Sequence, residues 1–289
     1  MTAVAHASPW SSPRTSSFPD AGPGEARPPR ASMRWYPLLR RIAREVGPQP
    51  GPDAEELARR LYAAYFHAHG NPQAWPPRTD AGVLRPVPGV DGAFAARLAA
   101  SAGPRHPQWS RIVGYFTVHG AARATRPPEP TVRCYLNLLP EAAPRVFAAA
   151  TAALEASALV FAGKLLDNPR NFGRPDAAVF YAGRRDAAAL ARTMLAMRAD
   201  APEAFGAEVP GFTREFAPGV AIADDPGAGV SFGLHRCRLV AEALIAAGDG
   251  DPHERLGAII TTMLAAGVDP ARPHLGPGLP EFDLDGGEG

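Results

Sequence analysis

Leu159–Tyr181 reads LVFAGKLLDNPRNFGRPDAAVFY, two apolar runs separated by a polar turn. Leu159–Leu166 is a short apolar strand bounded by Gly163 and by the turn Asp167-Asn168-Pro169. Beyond the loop to Arg174, Ala177–Tyr181 is a second strand. Lys164 sits inside the first run and is the chain's only lysine, against twenty-nine arginines. A composition rich in Ala, Arg, Gly and Pro makes lysine scarce everywhere, and the solitary residue is consistent with that bias alone. Its setting points further. An ammonium within a strand is costly to bury without a partner. Lysine, unlike arginine, also loses its proton when desolvated or crowded by positive charge. Lys164 is therefore a candidate for chemistry.

Upstream, the runs Arg111–His119 and Thr131–Leu138 are strands. In the second, Val132, Cys134, Leu136 and Leu138 alternate with Arg133, Tyr135 and Asn137, giving one apolar and one polar face. The Pro-rich link between these strands predicts a hairpin with a long loop and antiparallel pairing. Pro140–Ala156 is helical, with Val146, Phe147, Ala150 and Leu154 as its packing stripe. Downstream, Asp186 caps a helix to about Arg198 with Leu190, Met194 and Met197 inward, and Pro218–Ala223 is a further short strand. Ser231 caps the helix SFGLHRCRLVAEALIAAG, which ends at Gly248, and Asp251, Pro252 and Glu254 open the last helix, which runs to Gly267. Nearer the N-terminus, helices are expected at Trp35–Val46, from Asp53 to Gly70, and around Phe94–Ser101. Strands grouped between helices define an α+β fold, a central mostly antiparallel sheet flanked by helices. The expected order is a disordered arm over 1–33, a helical region over 34–105, an α+β domain over 106–272 and a flexible tail over 273–289.

Several classes are excluded or disfavoured. A net charge of +1 argues against general nucleic-acid binding. No run approaches a membrane span, and the opening MTAVAHASPWSSPRTSS lacks the apolar core of a secretory signal, so a cytoplasmic protein is expected. Cys134 and Cys237 have no zinc-ligand spacing and read as buried small hydrophobes. His67 and His69, two apart on a helix, face different ways and make no metal pair. There is no Walker loop, dinucleotide fingerprint, nucleophile elbow or zinc signature, and neither a metal nor a cofactor is expected.

What remains is a set of cations. Arg133 projects from the polar face of its strand, Arg174 precedes another, and Arg236 and Arg238 occupy the first turns of the helix that begins at Ser231. A helix N-terminus with forked guanidinium donors suits a phosphate; the alternative is that each arginine is a solvated surface charge. His235, beside Arg236, is a candidate general acid or a structural histidine, and His119 competes for the acid role.

The runs RIVGYFTVHG and VRCYLNL, the Lys164 segment with RPDAAVFY, and PGVAIADDPGAGVSFGLHRCRLVAEAL together resemble the HopA-type effector family, over roughly Arg111 to Ala247. Members of that family also occur as lyase components in the biosynthesis of class V lanthipeptides and thioamitides. The resemblance implies a phosphoserine or phosphothreonine lyase that eliminates phosphate from a precursor peptide, leaving dehydroalanine or dehydrobutyrine. A separate kinase-like protein would phosphorylate the peptide first. In that chemistry Lys164 would be the base, His235 the acid, and Arg133, Arg174, Arg236 and Arg238 the phosphate ligands. A neutral Lys164 requires a fall in pKa from about 10.4 toward 7, about 4.6 kcal/mol, supplied by the arginines. The rival function is a non-catalytic module that binds a phosphopeptide or a leader; a phosphoester hydrolase is disfavoured by the missing metal cluster and nucleophile loop.

Overall fold

The structure, a computed structural model, describes residues 35–47, 53–67, 90–102, 109–112, 114–120, 127–227 and 229–284. The arm over 1–33, Gly70, His69 and the loop Asn71–Gly89 lie outside the described residues, as does the side chain of His67. Seven strands make one antiparallel sheet: β1 (Trp109–Ile112), β2 (Tyr115–His119), β3 (Thr131–Leu136), β4 (Phe161–Leu166), β5 (Ala178–Gly183), β6 (Arg214–Ala217) and β7 (Val220–Asp224), in the order β1-β2-β4-β5-β3-β7-β6.

Helices cover both faces. Against one lie α3 (Gly92–Ala102), α4 (Ala143–Ala156) and α5 (Ala187–Asp200), burying Phe94, Phe147 and Met194 on Val132, Cys134, Phe161 and Phe180. Against the other lie α1 (Trp35–Glu45), α2 (Ala54–Leu61), α6 (Phe232–Ala247) and α7 (Pro252–Ala265), whose core includes Leu39, Leu57, Val240 and Ile259 and reaches the sheet at Tyr135, Val179 and Ala223. The expected α+β architecture is the one observed. Alternation along β3 puts its own side chains in separate cores, Val132, Cys134 and Leu136 in one and Tyr135 in the other, because successive side chains leave opposite faces.

The structure departs from the sequence expectations in four places. The run Arg111–His119 is two strands, β1 and β2, paired from Ile112 to Tyr115 around Gly114, whose φ of 84° suits glycine. The expected pairing of that run with Thr131–Leu136 does not form, because β4 and β5 lie between them. Alternation dictates which face a side chain joins, and leaves the choice of neighbouring strand open. The polar row of β3 is not solvated either: Arg133 is 8% exposed and Tyr135 3%, since β3 has strands on both sides and helices on both faces. Finally, the segment beyond Pro273, expected to fray, is packed as far as Leu284. Leu275, Phe282 and Leu284 are buried, and Asp224 fixes the backbone by donating its N–H to His274 O at 2.8 Å and accepting from Gly276 N at 2.8 Å.

Helix ends follow local chemistry unevenly. Asp251 and Glu254 form the reciprocal capping box at the start of α7, with bonds of 2.9 and 2.8 Å. Asp186 and Ser231 precede α5 and α6 without making a side-chain cap bond. The Ser231 hydroxyl is engaged elsewhere.

Candidate functional site

β4 directs Lys164 toward the α2 and α6 side of the sheet. Its partners are Thr117 on β2 and Val179 on β5, and Val179 belongs to that core. Close strand packing on the opposite face requires Gly163, where a Cβ would lie 2.9 Å from the Phe180 ring. The Lys164 Nζ stands 4.6 Å from the ring centroid of Tyr115 and 5.9 Å from that of Tyr181. Both tyrosines sit two residues from a partner of Lys164 and so share its face. An ammonium is attracted to the π faces of such rings, by about 0.5–2 kcal/mol as water is excluded.

Arg133 is the register partner of Tyr181, and its guanidinium carbon lies 5.4 Å from that same ring. Its Nε donates to Asp225 Oδ2 at 2.7 Å and its Nη2 to Val230 O at 2.6 Å, which ties the sheet to the residues just before α6. Arg174 follows Gly173, at φ 90°, in the loop between β4 and β5. It meets the buried Asp176 with two bonds, Nε to Oδ1 at 2.5 Å and Nη2 to Oδ2 at 2.7 Å. Tyr62 ends α2 and begins a π-helical turn, Tyr62–His67. Its hydroxyl hydrogen-bonds the Ser231 hydroxyl, and Asp176, Arg174 and Tyr115 all lie within electrostatic reach of it. Burial foremost, then the Asp176 carboxylate, raises the Tyr62 phenol well above its ordinary pKa; burial does the same for Tyr135.

Three of the six sequence-predicted residues therefore converge: Lys164, Arg133 and Arg174, around Tyr115, Tyr181 and Tyr62. The charge count differs from expectation. Arg133 is paired with Asp225 and Arg174 with Asp176, so each cation brings its own anion, and Lys164 adds a positive charge that meets rings rather than a carboxylate. The surplus of guanidinium charge expected around Lys164 is not provided by these two arginines.

The other three residues form a separate group on α6. Arg236 is 1% exposed and donates to Pro273 O at 2.7 Å, to Leu275 O at 2.9 Å and to His235 Nδ1 at 2.8 Å, with its guanidinium 4.8 Å from the Phe232 ring. Burial lowers its pKa to about 10. His235 is held down to about 4, first by burial and then by Arg236 and Arg238. Arg238 is exposed and pairs with Glu242 one turn along at 3.2 Å. His119 ends β2, exposed, on the same sheet face as Lys164.

Sequence reasoning missed Tyr62, Tyr115, Tyr181, Asp176 and Asp225. The two strand tyrosines carried a signal, since each alternates in phase with Arg133 or Lys164 once the strands are paired. Tyr62 carried none, because a π turn breaks the 3.6-residue period. Among the described residues no group of three or more His, Cys, Asp or Glu side chains is arranged to hold a metal ion, and no helix is long and apolar enough to cross a membrane. Cys134 and Cys237 are buried, which raises both thiol pKa values.

The fold and site define an α+β protein with a seven-stranded antiparallel sheet, one face of which carries a lysine, a carboxylate-paired arginine and two tyrosines, with a second carboxylate-paired arginine in the β4–β5 loop. The chain belongs to the HopA1 effector protein family, whose model matches residues 112–275, more than half of its length. That match begins where the resemblance in sequence begins and extends through Leu275, taking in the packed segment after α7. Among solved structures, the effector protein from Pseudomonas syringae pv. tomato strain DC3000 is similar at 18% identity and a TM-score of 0.60, over 85% of this chain and 98% of that one. The effector protein from Pseudomonas syringae pv. syringae strain 61 is similar at 15% identity and a TM-score of 0.46, over 85% and 95%. The first of these establishes a common fold. No curated protein matches the chain.

Proposed function

We propose that this protein is a phosphoserine or phosphothreonine lyase that acts on a phosphorylated precursor peptide in the biosynthesis of a lanthipeptide-type product, in the cytoplasm, after a separate kinase-like protein has phosphorylated the peptide. The observation that carries the reading is the position of the only lysine. Its Nζ lies half-buried between two tyrosine rings, one of which, Tyr181, it shares with the guanidinium of Arg133.

In the proposed step the Lys164 amine takes the Cα proton, the C–H electron pair forms the Cα=Cβ bond, and the Cβ–O bond breaks with its pair leaving on phosphate. The proton rests on Nζ, where the departing anion matches it. Forked donors on Arg133 and Arg174 suit phosphate oxygens. Because both arginines are already balanced by carboxylates, exclusion of water by the bound peptide is the effect that would favour a neutral amine. His235 has its Nδ1 occupied by Arg236 and faces other neighbours, so it is not needed in this scheme.

A synthetic phosphoserine peptide tests the reading by mass spectrometry. Elimination lowers the peptide by the mass of phosphoric acid, hydrolysis returns the alcohol, and a binding module leaves the mass unchanged. Lys164→Arg keeps a cation but not a usable base, and elimination is expected to fall about 10³-fold, the scale of a lost general base, while phosphopeptide binding stays within about threefold. Undiminished turnover in that variant would refute Lys164 as base.

A further inference from the structure

The π-helical turn after α2 fixes one side chain with unusual care. The Tyr62 ring stacks on Phe66 at 4.8 Å and 16°. Both rings rest on the backbone of α6 at Gly233, where a Cβ would come within 2.5 Å of the Tyr62 and Phe66 ring atoms. Glycine in a helix costs about 1 kcal/mol against alanine, and here that cost allows the rings to touch the helix. On the far side, Phe66 O accepts from Gly211 N at 3.1 Å, which ties the turn to the loop before β6. The hydroxyl end is held by Ser231, whose side chain is thereby withdrawn from capping α6. Tyr62 thus has its ring clamped between Phe66 and α6, and its phenol within electrostatic reach of the Arg174–Asp176 pair and of Tyr115, the ring that lies against Lys164.

We infer that Tyr62 is the neutral hydrogen-bond donor of this site, offering its phenol proton to the phosphate of the bound residue, with Ser231 and Gly233 as the positioning residues that hold it. This rests on the lyase reading above. The phenol is suited to the task because burial and the Asp176 carboxylate keep it protonated, so it donates without adding charge. A preorganised donor aimed at the oxygen where charge develops is worth about 10²–10³ in rate. No proton need leave Tyr62: the phosphate departs with the Cβ–O electron pair and the hydrogen bond shortens as its charge rises.

Tyr62→Phe deletes the donor and keeps the ring. Two peptides separate its role from a structural one, the first with phosphoserine and the second with β-chloroalanine at the same position, since chloride leaves without such a donor. Phosphopeptide turnover is expected to fall about 10²-fold more than β-chloroalanine turnover. Gly233→Ala, which displaces the ring, should lose activity on the same substrate and in the same direction. Equal losses on both peptides, or no loss on either, would overturn the inference. A parent protein that eliminates from neither peptide removes the lyase reading and this inference with it, and is distinguished by the silence of the parent rather than of the variant.

Discussion

Two groups of basic side chains lie close in the sequence-derived picture and apart in the molecule, and burial treats them in opposite ways. On β3 and in the β4–β5 loop, Arg133 and Arg174 are each held by a carboxylate, and their pKa values rise despite desolvation. On α6, Arg236 is buried more deeply, meets no carboxylate at hydrogen-bond distance, and falls to about 10. Its donors go to the carbonyls of Pro273 and Leu275, so it ties the segment after α7 to the body of the protein. Arg236 commits three of its five N–H donors to two backbone carbonyls and the His235 ring, and at 1% exposure it presents little to a ligand. An arginine paired with a carboxylate on a face it shares with Lys164 can share its fork with an incoming anion. The difference between these groups is one of partners rather than charge.

The largest effect that would test this contrast is Arg236→Ala. It strands two carbonyl acceptors and opens a cavity, and each buried unsatisfied group costs about 1–3 kcal/mol. A loss of about 3 kcal/mol is expected, which lowers Tm by about 6–12 °C in a protein of this size. Elimination per folded molecule should be unchanged. A thermal melt and a rate at a temperature below both transitions check the two halves. Lost elimination in a folded variant would place Arg236 itself in the site and dissolve the contrast.

These partners explain how much was legible in sequence. Lys164 on an apolar strand, Arg133 on the polar face of its own strand and Arg174 just before the next strand were readable, because strand alternation is local. Strand order was not, since β2 skips β3 in favour of β4 and no local pattern encodes that choice. Arg236 and Arg238 looked like anion ligands because a helix N-terminus does favour anions. What sequence could not supply was the destination of the segment after Pro273, which claims Arg236. Asp225 and Asp176 were visible as letters, and only the fold pairs them with Arg133 and Arg174.

A smaller effect concerns pH. His235 moves from an ordinary 6.5 to about 4 in the folded protein, through burial first and then Arg236 and Arg238. The neutral imidazole is the native form, so the unfolded chain takes up a proton before the folded one as pH falls. Stability from this group is therefore complete above about pH 6.5 and is lost progressively down to about pH 4. His235→Gln should flatten the decline in Tm across that window and leave the neutral-pH rate of elimination unaltered. A decline that is just as steep in the variant would assign it to other groups.

The smallest expected effect is the most discriminating for substrate binding. Arg238 is 60% exposed in its side chain and meets Glu242, 44% exposed, at 3.2 Å across one helical turn. Such a pair contributes about 0.3–0.5 kcal/mol and is screened by salt. Arg238→Ala should therefore shift Tm by less than about 2 °C. It should also leave phosphopeptide affinity unchanged at any salt concentration, because nothing on the Lys164 face depends on it. Arg133→Ala is the matched opposite: it removes a fork beside Tyr181 and frees Asp225, so phosphopeptide binding should weaken at low salt. If the Arg238 variant weakens binding as much as the Arg133 variant does, phosphate is held at α6, and the face that carries Lys164 is not where the peptide lies.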